Sequence, residues 1–139
     1  MNYRIIIAGG RDFNNYELLK KTLNEYFERT LNVKATELPW KIEQESLRIE
    51  IISGGAKGAD SLGEKYAEEY GIPVVRYPAD WKKYGRAAGP KRNEEMARAA
   101  AADGFSGVLF AFWDGTSPGT ANMIKTAEKF KLDVNVILY

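Results

Sequence analysis

The stretch Arg48-Ile49-Glu50-Ile51-Ile52-Ser53-Gly54-Gly55-Ala56-Lys57-Gly58-Ala59-Asp60 changes character twice. Arg48 to Ser53 reads as a strand, and Gly54 to Gly58 as a loop. A helix follows, with Ala59, Leu62, Tyr66, Ala67 and Tyr70 on one face and Glu64, Lys65, Glu68 and Glu69 mostly on the other. Gly71 stands where a left-handed C-terminal cap belongs. Pro73 to Tyr77 is the next short strand. Strand, glycine turn, helix and strand in this order imply a right-handed crossover and parallel pairing.

The flanks extend the pattern. Upstream, Tyr3 to Ala8 is apolar on both faces and contains three consecutive isoleucines, as a buried parallel strand requires. Gly9-Gly10-Arg11-Asp12 ends it. Asn14 followed by Glu17 resembles a helix-capping pair. Leu18, Leu19, Leu23, Tyr26 and Phe27 then recur at helical spacing to about Leu31. Residues 32–48 are polar, with Pro39 and Trp40 in the middle, and too long for an ordinary connection. They read as an insertion with a short helix near Ile42 to Ser46.

Downstream, Pro78 to Gly89 is a loop of glycine, aromatic and basic residues, and Pro90 opens a helix that runs through Met96 to about Ala102. Val108 to Trp113 is a fourth strand. Asp114-Gly115-Thr116 turns the chain, and Ser117 and Pro118 start a helix whose face carries Met123, Ile124, Ala127 and Phe130. Val134 to Tyr139 closes as a fifth strand. Five strands alternating with four helices predict an α/β fold: one domain over residues 1–139, a doubly wound parallel sheet in the order 3-2-1-4-5.

Composition limits the chemistry. The 139 residues include no cysteine and no histidine, which excludes thiol nucleophiles, disulfides, thiolate metal sites and imidazole bases. What remains is carboxylate, hydroxyl, Lys, Arg, backbone dipoles, or a metal held by oxygen ligands. Twenty basic residues against nineteen acidic ones argue against a globally basic nucleic-acid binder. No apolar run approaches the roughly 20 residues of a membrane span, and no signal-peptide pattern opens the sequence, so a cytoplasmic protein without membrane partners is expected.

In a doubly wound sheet, ligands bind beyond the carboxyl ends of the strands. The unusual residues lie there: Gly9, Gly10, Arg11 and Asp12 after the first strand, Ser53, Gly54, Gly55, Lys57, Gly58 and Asp60 after the second, and Asp114, Ser117, Gly119 and Thr120 after the fourth. Glycine-rich strand-to-helix turns let backbone N–H groups approach an anion, so two such loops suggest a phosphate. Tight turns and close helix–sheet contact are the alternative. Gly119 in a first helical turn costs about 1 kcal/mol of propensity, which a ligand needing bare backbone would explain. Neither a Walker A ending nor a full G-x-G-x-x-G spacing is present. From Arg76 to Arg98, seven basic residues face three acidic ones. Trp81 there is either a stacking surface or a loop anchor, Arg92 suits an anion, and Asn93 suits a ligand or a helix end. Asp12, Asp60 and Asp114 can contact ribose, act as a base, or help phosphates hold Mg; each also suits a turn or first helical turn. Trp40 and Trp113 read as packing residues, and Met96 and Met123 as core.

Together, Gly9-Gly10-Arg11-Asp12-Phe13, Ser53 to Asp60, Pro78-Ala79-Asp80-Trp81, Gly89-Pro90-Lys91-Arg92-Asn93 and Gly119-Thr120 resemble the SLOG superfamily, and within it the YspA-like branch. The resemblance spans nearly the whole chain except residues 32–48. It implies a Rossmann-like fold that binds nucleotides or nucleotide-derived ligands across these loops, and a homodimer or larger assembly. Relatives include the Lonely Guy phosphoribohydrolases and the DNA-uptake protein DprA. The enzymes carry P-G-G-x-G-T-x-x-E, whose Glu supports N-glycosidic cleavage. The corresponding stretch here, Asp114 to Met123, keeps Gly119-Thr120, but no Glu follows until Glu128. Binding of a nucleotide-derived small molecule, as a sensor or carrier, is therefore the leading expectation. An N-glycosidic hydrolase with Asp60 or Asp114 as its carboxylate is the alternative. Single-stranded DNA binding by the Arg76–Arg98 region is the third reading, disfavoured by the balanced charge.

Overall fold

The computed structural model describes all 139 residues. Five strands, β1 (Asn2–Gly9), β2 (Arg48–Ser53), β3 (Val74–Arg76), β4 (Ser106–Trp113) and β5 (Asp133–Leu138), form one parallel sheet in the order β3-β2-β1-β4-β5. The predicted order is the observed one. The long helices are α1 (Tyr16–Tyr26), α3 (Ala59–Tyr70), α5 (Ala88–Ala100) and α6 (Pro118–Lys129); α2 (Leu38–Glu43) and α4 (Trp81–Tyr84) are short.

The three isoleucines of β1 explain the two layers. Successive strand residues point to opposite faces. Ile5 and Ile7 enter the core under α1 and α3, with Leu19, Leu23, Phe27, Tyr66, Phe110 and Phe112. Ile6 and Ala8 enter the core under α5 and α6, with Met96, Ala97, Leu109, Ala111 and Met123. A central strand apolar on both sides is what a sheet covered on both faces needs.

Local boundaries depart from the sequence reading in four places. The side chain that caps α1 is Asn15, not Asn14: its Oδ1 accepts from Leu18 N–H at 3.1 Å. Beyond Tyr26 the helix widens into a π turn, Phe27–Leu31, which Asn32 ends in the left-handed conformation. The 78–89 loop contains α4, capped by Asp80, and a 3-10 turn, Gly85–Ala87. Consequently α5 starts at Ala88 and Pro90 sits within its first turn instead of opening it.

The fourth departure is the 32–48 segment. Its short helix lies at Leu38–Glu43 instead of Ile42 to Ser46, with Pro39 in the first turn. Val33, Ala35, Leu38 and Leu47 are buried in the core with Phe27, Ile49 and Tyr66. The segment is polar by count and apolar where it touches the sheet, so it seals one end of the α1/α3 core. Trp40 is the reverse case: read as packing, it is 55% exposed. Pro39 packs near Gly71, whose φ of +69° ends α3 in the left-handed region as predicted. No helix is long and apolar enough to cross a membrane.

Candidate functional site

The sheet reverses direction of winding between β1 and β4. A cleft of about 630 Å³ opens at their carboxyl ends. The loop after β1 contributes Gly9, Gly10, Arg11 and Asp12; the loop after β4 and the start of α6 contribute Asp114, Ser117, Gly119 and Thr120. The start of α5 supplies Arg92 and Asn93, α3 supplies Asp60, and Trp81 stands at the rim with Arg86. Met96 and Met123, buried core residues, form an apolar floor.

The rest of the second glycine loop lies behind this cleft. Ser53, Gly54, Gly55, Lys57 and Gly58 do not line it; only Ala56 and Asp60 from that loop and the helix start do. Three of its N–H groups are already used, while those of Lys57, Gly58 and Asp60 meet no protein acceptor. Gly55 N–H donates to Ser53 Oγ at 3.1 Å, Ala56 N–H to Asp60 Oδ2 at 3.2 Å, and Ala59 N–H to the Gly10 carbonyl at 3.2 Å. Ser53 Oγ in turn donates to Glu64 Oε2 at 2.6 Å. Lys57 is exposed on the outside of the loop. So the loop braces the site, and its expected role as a second anion cradle has a structural competitor at those three N–H groups.

The first and third loops also keep donors free, on residues that line the cleft. Gly10 N–H donates to Phe112 O and Phe13 N–H to Gly10 O, yet the amides of Arg11 and Asp12 meet no protein acceptor. At α6, Pro118 has no N–H, and the amides of Gly119 and Thr120 also lack a protein acceptor. A Cβ on Gly119 would have no heavy atom within 4 Å. No packing contact explains why this residue is bare. Gly9 is different: its Cβ would collide with the Phe112 carbonyl and lie 2.9 Å from Ala59 Cβ, so glycine there lets β1, β4 and α3 converge.

Each carboxylate at the cleft is engaged. Asp12 Oδ1 accepts from the Tyr139 hydroxyl at 2.5 Å, and the Tyr139 ring packs on Phe13, 4.9 Å between centroids. Tyr139 is a site-organising residue that the sequence reading missed, because only the fold brings β5 to the loop after β1. Its phenol is pushed up to about 12, by desolvation first and then by Asp12. Asp114 accepts from Thr116 N–H at 2.9 Å, Ser117 N–H at 2.7 Å and Ser117 Oγ at 2.8 Å. These bonds, the Ser117 amide first, hold its carboxyl down at about 2. Ser117 occupies the N-cap position but spends its hydroxyl on Asp114. Asp60 is buried, and burial pushes its carboxyl up from the ordinary value, while the Ala56 amide and the Arg92 charge pull it down.

Arg92 Nη1 donates to the Gly54 carbonyl at 2.9 Å and its Nε to Asn93 Oδ1 at 3.1 Å. None of Arg11, Arg86 and Arg92 enters an ion pair. Trp81 is 52% exposed with its edge against Gly89, where a Cβ would lie 3.4 Å away. That geometry removes the buried-anchor reading of Trp81 and leaves a ring facing the cleft mouth. Trp113 is partly buried and donates its indole N–H to the Ser117 carbonyl at 3.1 Å. Asn122, also missed, joins the wall through Asn93; an Asn on a helix gives no sequence signal of its own.

Fold and cleft define an α/β protein with a ligand-sized opening at the switch point of a doubly wound sheet. The sequence matches the family model described as YAcAr, the YspA, cpYpsA-related SLOG family, over residues 3–84, more than half of the chain. The protein belongs to this YspA-related SLOG family. It is also 35% identical over 89 residues to the Gene 61 protein of Mycobacterium phage D29, an alignment covering 60% of this chain and 67% of that protein. No solved structure shows significant similarity to it. The matched span carries the loops after β1 and β2 and Trp81, and ends before Arg92, Asn93, Gly119 and Thr120.

Proposed function

We propose that the protein binds a nucleotide-derived small molecule in the cleft between β1 and β4, as a sensor or carrier. The observation that carries this is the pairing, at one opening, of bare amides at Gly119 and Thr120 with three arginines, Arg11, Arg86 and Arg92, that enter no ion pair. Backbone N–H groups at a helix start and guanidinium groups both favour phosphoryl oxygens. The methionine floor and the Trp81 ring give an apolar base a surface to lie on. A volume of about 630 Å³ suits a mononucleotide or somewhat more.

Thermal-shift titration with AMP, ADP-ribose and NAD tests this against Gly119→Glu. The substitution enters open space, and an acid in the first helical turn is tolerated by the helix dipole, so the variant folds while its carboxylate opposes an anion. Wild type should gain several degrees with at least one ligand and the variant none. If no ligand stabilises wild type more than the variant, the proposal fails.

A further inference from the structure

The polar side chains in the cleft wall form a directed chain, and its direction fixes what the last member shows to a ligand. Arg92 can only donate. Its Nε donates to Asn93 Oδ1 at 3.1 Å, so the oxygen of that buried amide faces Arg92. Asn93 Nδ2 then points the other way, to Asn122 Oδ1 at 2.9 Å and the Gly119 carbonyl at 3.5 Å. A carbonyl can only accept, which fixes the same orientation from the opposite side. Asn122 must therefore turn its oxygen to Asn93, which leaves its Nδ2 group over. That nitrogen has no protein partner, and no buried side-chain polar atom in the protein lacks one, so it is open to solvent. Asn122 is itself a wall residue of the cleft.

We propose that Asn122 is a specificity-determining residue of this cleft, its Nδ2 donating to a phosphoryl oxygen of the bound ligand. The inference rests on the reading that the cleft takes a nucleotide-derived molecule. The same cleft is lined by further donors without a protein acceptor: the amides of Gly119 and Thr120 and the remaining N–H groups of Arg92. The acceptor closest along the chain, Asp114, is folded back onto Thr116 and Ser117. A partner rich in acceptors and poor in hydrogens satisfies such a set, and phosphoryl oxygens do so without bringing a hydrogen that needs its own acceptor, as a sugar hydroxyl or an amine would.

Asn122→Asp isolates this role. It keeps the oxygen that Asn93 needs and replaces only the outward donor by an anionic acceptor. Calorimetric titration with AMP, ADP-ribose and adenosine should show wild type preferring the phosphorylated ligands. The variant should lose about 100-fold in affinity for whichever of AMP and ADP-ribose binds, as expected for a lost charged hydrogen bond plus repulsion, with adenosine changed by less than about 3-fold. Should N122D fail to fold, Asn122→Ala should lose about 10-fold for the same ligand. Unchanged affinity in the variants, or an equal loss for adenosine, overturns the role of Asn122. If Gly119→Glu still abolishes binding in that case, the ligand reading survives. Wild type binding neither phosphorylated probe overturns both.

Discussion

The loops after β1 and β2 are locked together at one glycine, and this can be tested against a neighbour that also has a positive φ but no such contact. Gly58 has φ 81° and ψ −126°, a region that side chains rarely enter. A Cβ there would collide with the Gly10 carbonyl and stand 2.7 Å from both Cα and C of Arg11, all of it backbone. Gly55 also has a positive φ, +73°, but a Cβ on it would meet nothing within 4 Å. Gly55→Ala should therefore cost only left-handed strain, about 1 kcal/mol. Gly58→Ala adds deeper backbone strain, about 2 kcal/mol, and displacement of the β1 loop, on the order of 2 kcal/mol. With 139 residues, 1 kcal/mol moves the melting temperature by about 3–4 °C. Thermal denaturation followed by circular dichroism should show a drop of about 3–4 °C for G55A and about 12–16 °C for G58A. Because the displaced backbone carries Arg11 and the Gly10 carbonyl that anchors Phe13 and Ala59, ligand affinity should fall in G58A alone. Equal melting shifts in the two variants would show that the loops are not braced at this point.

The 32–48 segment should behave as core where it touches the sheet and as surface elsewhere. Leu38→Ala, at a fully buried position, should cost 2–5 kcal/mol in urea denaturation, while Trp40→Ser should stay within about 0.5 kcal/mol; comparable losses would contradict the burial pattern. Acid denaturation should separate the two aspartates. Asp114, held at about 2, favours the folded state above the ordinary carboxylate range and loses that contribution as pH falls from about 4 toward 2, so Asp114→Asn should flatten the acid limb. Asp60 has the opposite sign: burial raises its carboxyl, so ionising it opposes folding as pH rises through its folded value, and Asp60→Asn should flatten that decline. An unchanged profile of melting temperature against pH in either variant refutes its assignment.

The sheet was legible because its signals are local. Ile5, Ile6 and Ile7 need two covered faces, and each glycine turn marks a strand end. What escaped the sequence depends on contacts between distant residues. Tyr139 reaches Asp12 across 127 positions, which no spacing rule encodes. The sequence also shows Gly54 to Gly58 as an exposed cradle, since it cannot show that Ser53 and Asp60 take up the Gly55 and Ala56 amides, or that Gly10 takes up that of Ala59. Averaged over residues 32–48, polarity concealed four buried side chains, because a segment that covers the end of a core needs only one apolar edge.

The same contacts bear on whether the cleft holds a ligand or cleaves one. Glycosidic hydrolysis needs a carboxylate free to steady positive charge or to activate water. In the P-G-G-x-G-T-x-x-E pattern, the carboxylate position falls on Met123, which is 1% exposed and packs in the α5/α6 core. Asp114, at about 2, is a weak base with three hydrogen bonds to lose, and Asp12 is held by Tyr139. Asp60 alone has the raised carboxyl that suits proton transfer, but its Oδ2 accepts from Ala56 N–H, and the Arg92 charge bears on it. Releasing it would disturb the brace between β2 and α3. Where every acid at the cleft also has a structural partner and several donors have none, these contacts favour the proposed reading, an anion bound and left intact, over the hydrolase reading.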